Sequence, residues 1–104
     1  MSGYYVILIT TPVDKGEEIA NFIIENKLGA CVNVVKEVKS IYWWKGNIEK
    51  DTEALLVVKT SVEKFNQLMR EVRKIHPYTV PEIIALPIVA GNPEYLKWLD
   101  DSLA

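Results

Sequence analysis

The sequence predicts an α+β fold in which two β-α units are separated by a long β-hairpin and followed by a C-terminal helix. Four runs are rich in apolar, β-branched and aromatic residues, two segments carry apolar residues at helical spacing, and turn signals separate them. Two β-α units around a hairpin form the split β-α-β arrangement of a ferredoxin-like βαββαβ sandwich. One face of its sheet then needs cover, which for a short chain most simply comes from sibling subunits.

The first strand and helix are predicted near the N-terminus. Residues 4–9 are an apolar run that ends before Thr-Thr-Pro, as expected of a buried strand. Asp14 stands three residues before Glu17, which predicts an N-cap with its capping-box partner. Gly29 is the expected end of the helix. The apolar residues at approximately helical spacing are Ile19, Phe22, Ile23 and Leu28.

Residues 30–44 and 48–60 predict two long strands joined by a tight turn at Lys45-Gly46-Asn47. Strands usually have about five or six residues, so arms of this length should project beyond the sheet. A projecting two-stranded ribbon is only marginally stable by itself and needs a partner surface. The sequence therefore predicts a hairpin that contacts another subunit.

A second helix is predicted after the hairpin. Thr60 and Glu63 form another capping-box pattern, and the helix should end before His76-Pro77, because the residue before a proline avoids the α conformation. Its apolar residues follow helical spacing at Val62, Phe65, Met69 and Val72.

Residues 83–89 predict a fourth strand, and Pro87 restricts it to a sheet edge or a bulge. Asn92 as N-cap and Pro93 at the first helical position predict a last short helix.

The length of 104 residues indicates a single domain, residues 1–104, and the composition excludes several classes of protein. Hydrophobic residues make up 49% of the chain and charged residues 25%, which excludes disordered and low-complexity sequences. The net charge of −2 argues against a nucleic-acid or anionic-membrane binder, which would need a basic stripe. The N-terminal apolar run is too short for a signal peptide or membrane span, so we expect a cytoplasmic protein.

Three residues are candidate metal ligands: Cys31, His76 and Glu82. Cys31 lies in an Ala-Cys-Val run that is more typical of a buried small side chain than of a reactive thiol. His76 either caps the end of a helix or joins a metal or ligand site, and the sequence leaves both open. Three ligands are fewer than the four of a structural zinc site unless water or another subunit contributes.

Other polar and aromatic residues suggest binding rather than catalysis. Lys59 and Thr60 either end the strand as a solvated cation and a cap, or bind an anion near a helix N-terminus. Trp43 and Trp44 at the hairpin tip are typical of packing in an interface. The sequence has no P-loop, dinucleotide-binding, nucleophile-elbow or zincin motif, so we expect no enzymatic activity.

Five segments have distinctive sequences. They are Ala-Cys-Val-Asn at 30–33, Tyr-Trp-Trp-Lys-Gly-Asn-Ile at 42–48, a run ending in Lys-Thr at 56–60, His-Pro-Tyr-Thr-Val-Pro-Glu-Ile at 76–83 and Tyr-Leu-Lys-Trp-Leu at 95–99. Together, in this order and at this chain length, they resemble the CutA family of divalent-cation tolerance proteins. The resemblance covers essentially the whole chain.

The resemblance implies a ferredoxin-like homotrimer in which long hairpins pair across subunits. It also implies a likeness to PII signalling proteins, which bind nucleotides and effectors in clefts between subunits. The family is named for a copper-tolerance phenotype, and some members bind copper or other divalent ions. No cofactor is required, and Cu²⁺ or another divalent cation is the expected metal.

The family's residue roles transfer to specific positions here. The resemblance implies that the trimer contacts are Tyr42, Trp43 and Trp44, with Gly46 at the turn. It implies that Cys31, Lys59, Thr60, His76, Tyr78 and Glu82 line or border the cleft between subunits. Some copper-binding members have a second histidine and a further cysteine where this chain has Ile75 and Ile9. This difference argues against a high-affinity copper site like theirs.

Three functions follow as hypotheses. The first is a cytoplasmic, non-enzymatic homotrimer of divalent-cation tolerance that binds metal weakly. The second is a PII-like regulator that binds a small anion near Lys59. The third is a trimeric scaffold that anchors another protein. The expected partners are other copies of the chain and divalent metal ions, with no nucleic acid and no membrane.

Overall fold

The computed structural model describes residues 3–104. The strands and helices of these residues are β1 (Tyr4–Pro12), α1 (Gly16–Glu25), β2 (Cys31–Trp44), β3 (Asn47–Ser61), α2 (Phe65–Ile75), β4 (Ile83–Pro87) and α3 (Pro93–Leu103). The strands form an antiparallel sheet in the order β2-β3-β1-β4. This arrangement confirms the predicted ferredoxin-like α+β fold with its C-terminal helix.

The main core lies between one face of the sheet and helices α1 and α2. Alternate residues of β1 and of the second half of β3 are buried, because successive side chains of a strand point to opposite faces. The buried members of this core are Ile7, Ile9, Ile19, Ala20, Ile23, Leu28, Leu56, Val58, Leu68, Val72 and Ile83.

Helix α3 lies against the opposite face of the sheet. Tyr5 packs against the main core, so its neighbour Tyr4 points the other way, and the Tyr4 hydroxyl donates to Asp100 of α3 at 2.6 Å. The Asn92 side chain accepts a hydrogen bond from the Glu94 N–H at 3.0 Å. Asn92 therefore caps α3 as predicted.

The capping boxes predicted for the first two helices are wrong. Within the described chain, 3-10 turns at Val13–Lys15 and Val62–Lys64 precede α1 and α2, and no side chain caps either helix. Thr60 is buried in β3 and donates its hydroxyl hydrogen to the carbonyl of Leu28 at 2.7 Å. Strands β1 and β3 run past their predicted ends, so the helices begin later than the pattern indicated.

Helix α1 ends before the glycine that was expected to stop it. Its last residue is Glu25, and Lys27 adopts a left-handed φ of 57°, after which the N–H of Leu28 bonds back to the helix at 2.9 Å. Gly29 serves packing instead, because a β-carbon there would lie 2.8 Å from Cγ1 of Val58. Close approach to β3 therefore requires glycine at this position.

The hairpin formed by β2 and β3 has the predicted turn. Lys45 and Gly46 have φ values of 52° and 82°, the two positive values of a type I′ turn. The strands pair down to this turn, with a register irregularity between Val35 and Val38. The molecule measures 44 Å along its longest axis and 25 and 23 Å across it, so the hairpin projects from the body as expected.

Strand β4 forms an edge of the sheet, as Pro87 predicted. It ends at Pro87 rather than continuing to residue 89. The chain between α2 and β4, residues 76–82, crosses the end of the sheet beside the hairpin, and this loop shapes the candidate site.

Candidate functional site

A cleft of about 700 Å³ lies between the hairpin and the loop of residues 76–82. Three acidic and three aromatic residues contribute to its lining: Asp51, Glu53, Glu82, Tyr42, Trp44 and Tyr78. None of the described residues that line it is Lys or Arg. We call it the acidic cleft, because carboxylates are the charged groups on its walls.

His76 fixes the loop beside the acidic cleft. Its side chain is only 7% exposed, with Nε2 at 2.8 Å from the Thr10 carbonyl oxygen and Nδ1 accepting the Tyr78 N–H at 3.1 Å. A carbonyl oxygen only accepts, so Nε2 carries the proton, and Nδ1 is the acceptor of a neutral imidazole. Both ring nitrogens are therefore used within the chain, and His76 positions Tyr78.

Tyr78 connects the loop to β3. Its hydroxyl donates to Oε2 of Glu53 at 2.8 Å, and Glu53 is only 6% exposed. Across residues 3–104, no cationic side chain forms an ion pair with Glu53, and no second donor reaches its carboxylate. No buried side-chain oxygen of the described chain lacks a partner, so the other Glu53 oxygen opens into the acidic cleft.

Tyr42 and Asp51 form a second phenol–carboxylate pair on the hairpin wall. The Tyr42 hydroxyl donates to Oδ2 of Asp51. Asp51 and Glu53 are two residues apart on β3, which places both carboxylates on one side of the strand. Each carboxylate thus accepts one phenolic hydrogen and keeps further acceptor capacity toward the cleft.

The two phenols remain protonated at neutral pH. The hydrogen bond to Asp51, followed by partial desolvation and the Asp51 charge, raises the pKa of Tyr42 to about 12. Burial, followed by the hydrogen bond to Glu53 and its charge, raises the pKa of Tyr78 above its usual value of 10.0. Both residues therefore act as hydrogen-bond donors to Asp51 and Glu53.

Cys31 and Lys59 lie at a different place in the sheet. They are direct partners in the β2–β3 register, and the Lys59 ammonium donates to Oδ1 of Asn33. Tyr95 of α3 packs beside them, and its pKa is raised by burial and by the neighbouring Cys31. Lys59 pairs with Val6 of β1, four residues from the Thr10 that His76 contacts. Four residues of strand correspond to about 13 Å.

The structure therefore places some of the predicted site residues in the acidic cleft and others outside it. Tyr78 and Glu82 line the acidic cleft, together with Tyr42 and Trp44 of the predicted subunit contact. Four other predicted cleft residues do not line it: Cys31, Lys59, Thr60 and His76.

The three candidate metal ligands are also separated. Cys31 lies beside Lys59, His76 is hydrogen-bonded on both ring nitrogens, and Glu82 lines the cleft. Within residues 3–104 no group of three or more His, Cys, Asp or Glu is arranged to hold a metal ion. A single chain thus does not bring Cys31, His76 and Glu82 together.

The sequence reasoning missed Asp51 and Glu53. The sequence pattern that could have identified them is the alternation of acidic residues at Glu49, Asp51 and Glu53, directly before the apolar part of β3. Such alternation puts carboxylates on one side of a strand. It does not show that a loop from elsewhere in the chain will cover one of them.

Comparison with known proteins identifies the family. Residues 5–102 match the family described as CutA1 divalent ion tolerance protein. The chain belongs to the CutA1 family. This confirms the resemblance found in the sequence. The "Divalent-cation tolerance protein CutA" of Thermus thermophilus is 49% identical over 93% of this chain and 95% of its own length.

Other CutA proteins extend the comparison. The "Protein CutA homolog" of Xenopus laevis is 51% identical over 89% of this chain. This chain spans about 62% of that protein, and about half of the curated mouse and rice relatives. The structure of the periplasmic divalent cation tolerance protein CutA from Archaeoglobus fulgidus has a TM-score of 0.93, 43% identity, and coverage of 97% of this chain and 99% of its own.

The CutA1 comparisons support a coarse description of function. They place the chain among divalent-cation tolerance proteins, and their names describe no catalysed reaction. The relatives include chloroplastic and periplasmic proteins. Within residues 3–104, none of the helices has the length and apolar character needed to cross a membrane.

Proposed function

We propose that this protein contributes to divalent-cation tolerance, with copper among the cations, as a non-enzymatic cytoplasmic homotrimer that binds cations weakly at the acidic cleft. The observation that carries the proposal is Glu53, a nearly buried carboxylate without a cationic partner in the described chain. Burying an unpaired charge is costly, so a cation that enters the cleft gains from neutralising it.

The homotrimer is supported by the exposed apolar surface of the hairpin. Trp43 is 72% exposed, and Ile41, Trp44 and Ile48 are exposed beside it. A two-stranded ribbon with such a surface is stabilised when another chain covers it. Aromatic residues are enriched at the centres of interfaces, which suits Trp43 and Trp44 as contacts.

A weak rather than tight metal site fits the geometry. Asp51 and Glu53 each accept a phenolic hydrogen, and the described chain contains no three-ligand metal cluster. A divalent ion would therefore keep much of its water and interact with Glu53 and Asp51 mainly through charge.

A small anion near Lys59 is the second candidate ligand. Lys59 is half-buried, and its ammonium donates to the neutral Asn33 rather than to a carboxylate. This leaves a positive charge that an anion can approach. An anion that binds there should bind more weakly to a Lys59→Ala variant. Such a site would lie away from the acidic cleft, whose walls favour cations.

The proposal is tested in purified protein and in cells. Size-exclusion chromatography with light scattering at low micromolar concentration should give three times the 11.9 kDa chain mass. Calorimetric titration with Cu²⁺ and Zn²⁺ should show saturable binding that Glu53→Gln weakens and Cys31→Ser leaves unchanged. A stable folded monomer, or equal metal affinity in wild type and Glu53→Gln, would contradict the proposal.

The cellular experiment uses a strain that lacks its own CutA protein. Expression of the wild type should raise the copper concentration at which growth stops, and Glu53→Gln should do so less. Glu49→Gln is the matched control, because Glu49 is an exposed glutamate on the same strand outside the cleft lining. Equal growth with and without the wild-type protein would reject the tolerance function itself.

A further inference from the structure

Helix α2 carries an exposed basic surface on the side of the sheet opposite α3. The two arginines of the whole sequence, Arg70 and Arg73, both lie on this helix, and Lys74 follows them. Together with Asn66 and Met69 they line an open groove of about 450 Å³, which we call the basic groove. None of its lining residues belongs to the hairpin. Contact between hairpins therefore leaves the basic groove accessible.

The positive charge of the basic groove is only partly neutralised. Glu71 lies 3.7 Å from the Arg70 Nε atom and 3.0 Å from the Lys74 ammonium, and Arg73 forms no ion pair within residues 3–104. One carboxylate thus serves two of the three cations, and a positive charge remains. The planar guanidinium group matches the geometry of a carboxylate, and Arg and Met are enriched in interfaces. The basic groove therefore suits a surface that presents carboxylates.

Helix α1 presents such a surface. Glu17, Glu18 and Glu25 are exposed on it, and Glu17 and Glu25 form no ion pair in the described chain. Lys15 lies 3.6 Å from Glu18, and Lys27 donates to a carbonyl of α3 at 3.1 Å. The three glutamates therefore leave the outside of α1 negative, and we call them the acidic surface of α1.

The fold places these two surfaces side by side with opposite chain directions. Strands β1 and β3 are antiparallel, and each leads through a single 3-10 turn into its helix. Helices α1 and α2 therefore cross the same face of the sheet in opposite directions. The start of α1 and the end of α2 lie at the same end of the sheet, where His76 contacts Thr10 near the end of β1.

This arrangement is self-complementary under two-fold symmetry. A two-fold axis that runs between α1 and α2, parallel to them, places α1 of a second copy over α2 of the first and the reverse. The first-turn glutamates Glu17 and Glu18 then meet the basic groove of the second copy. At the opposite end, Glu25 meets the first turns of α2, which Lys64 precedes. Opposite charges thus face each other at both ends, and every contact occurs twice.

We infer that two assemblies of this chain dock through their helices, with the basic groove of each against the acidic surface of α1 of the other. This contact goes beyond the proposed function. The hairpins join subunits within one assembly, whereas the helices join two assemblies, so a homotrimer would become a hexamer. Because the contact depends on exposed charges, salt weakens it.

The test is light scattering of the full-length protein over a series of protein concentrations. The measurement is made at about 10 mM and about 1 M NaCl, where charges are screened over about 30 Å and about 3 Å. The particle mass should double at low salt and return to that of a single assembly at high salt. The ratio of the two masses is the readout, so the test holds for any number of subunits in one assembly.

Two variants identify the surfaces in contact. The Arg70→Glu, Arg73→Glu double variant should keep the mass of a single assembly at low salt. Adding Glu17→Lys and Glu18→Lys exchanges the signs of the two surfaces and restores the wild-type net charge of −2. This quadruple variant should double its mass at low salt like the wild type. All four side chains are exposed, and circular dichroism checks that both variants are folded.

Four results would overturn the inference. They are equal masses of the wild type at the two salt concentrations, doubling of the double variant, a folded quadruple variant that does not double, and a wild type that binds a polyglutamate peptide without doubling. The last result would assign the basic groove to an acidic segment of another protein. The metal titrations of the proposed function do not involve these helices, so the two tests fail independently.

Discussion

The Tyr78 hydroxyl donates to Oε2 of Glu53 at 2.8 Å and so joins the loop after α2 to β3, across 25 residues of sequence. The same tyrosine is held from its backbone, whose N–H donates to His76, and His76 in turn bonds to the Thr10 carbonyl. Thr10, His76, Tyr78 and Glu53 therefore form one continuous hydrogen-bonded path. A substitution of any of these four residues should therefore alter the structure of the acidic cleft.

Tyr78→Phe should destabilise the protein by about 1–3 kcal/mol, because it leaves the nearly buried Glu53 carboxylate without its donor. The free energy of unfolding from denaturant titration measures this. Tyr42→Phe is the control and should cost less, because the Tyr42–Asp51 pair is exposed. A Tyr78→Phe protein as stable as the wild type would show that solvent replaces the donor at no cost.

Stability should fall in alkaline solution because of the two phenols. The pKa of Tyr42 is about 12 in the folded protein against 10.0 for the free side chain, and that of Tyr78 is also raised. Above pH 10 the unfolded chain loses these protons while the folded protein keeps them, so unfolding is favoured. Their contribution to stability is complete below pH 10 and is lost as the pH rises through the folded pKa values.

The measurement is the free energy of unfolding as a function of pH in wild type and in a Tyr42→Phe, Tyr78→Phe double variant. The double variant should lose less stability between pH 10 and pH 12. If both proteins lose stability in parallel, other groups cause the alkaline decline.

Substitutions of His76 should separate its two hydrogen bonds. His76→Ala leaves the Thr10 carbonyl and the Tyr78 N–H without partners and should cost about 2–4 kcal/mol of unfolding free energy. His76→Gln can restore a donor and His76→Asn an acceptor, so each should recover part of the loss. Denaturant unfolding of the wild type and the three variants measures this, and a His76→Ala protein as stable as the wild type would show that neither bond contributes.

Features encoded by neighbouring residues could be predicted from the sequence. The hairpin turn follows from Lys45-Gly46-Asn47, the cap of α3 from Asn92, and the edge position of β4 from Pro87. Neighbouring residues do not determine whether Thr60 ends a strand or caps a helix. It depends on how far β3 pairs with β1, a long-range contact that extends the strand to Ser61.

The candidate site was predictable only in part for the same reason. The family resemblance implied that Tyr78 and Glu82 border a cleft between subunits, and within one chain both residues line the acidic cleft. The resemblance could not show that the nitrogens of His76 are used by the chain itself, because one partner, Thr10, is 66 residues away. Glu53 looked like one of several hairpin carboxylates, and it differs from Glu49 because it pairs with Pro12 of β1 and because the loop folds over it.

Trp43 should matter for assembly and not for the fold of one chain. It is 72% exposed at the end of the hairpin, so Trp43→Ser should leave the circular dichroism spectrum unchanged. If hairpins pair between subunits, the loss of a buried interface tryptophan should raise the concentration at which the trimer dissociates by about tenfold or more. Light scattering over a dilution series measures this dissociation.

Ile24→Ser, which changes an exposed apolar residue on α1, is the control and should dissociate like the wild type. Identical dissociation of the Trp43→Ser and wild-type proteins would place the subunit contact away from the hairpin tip.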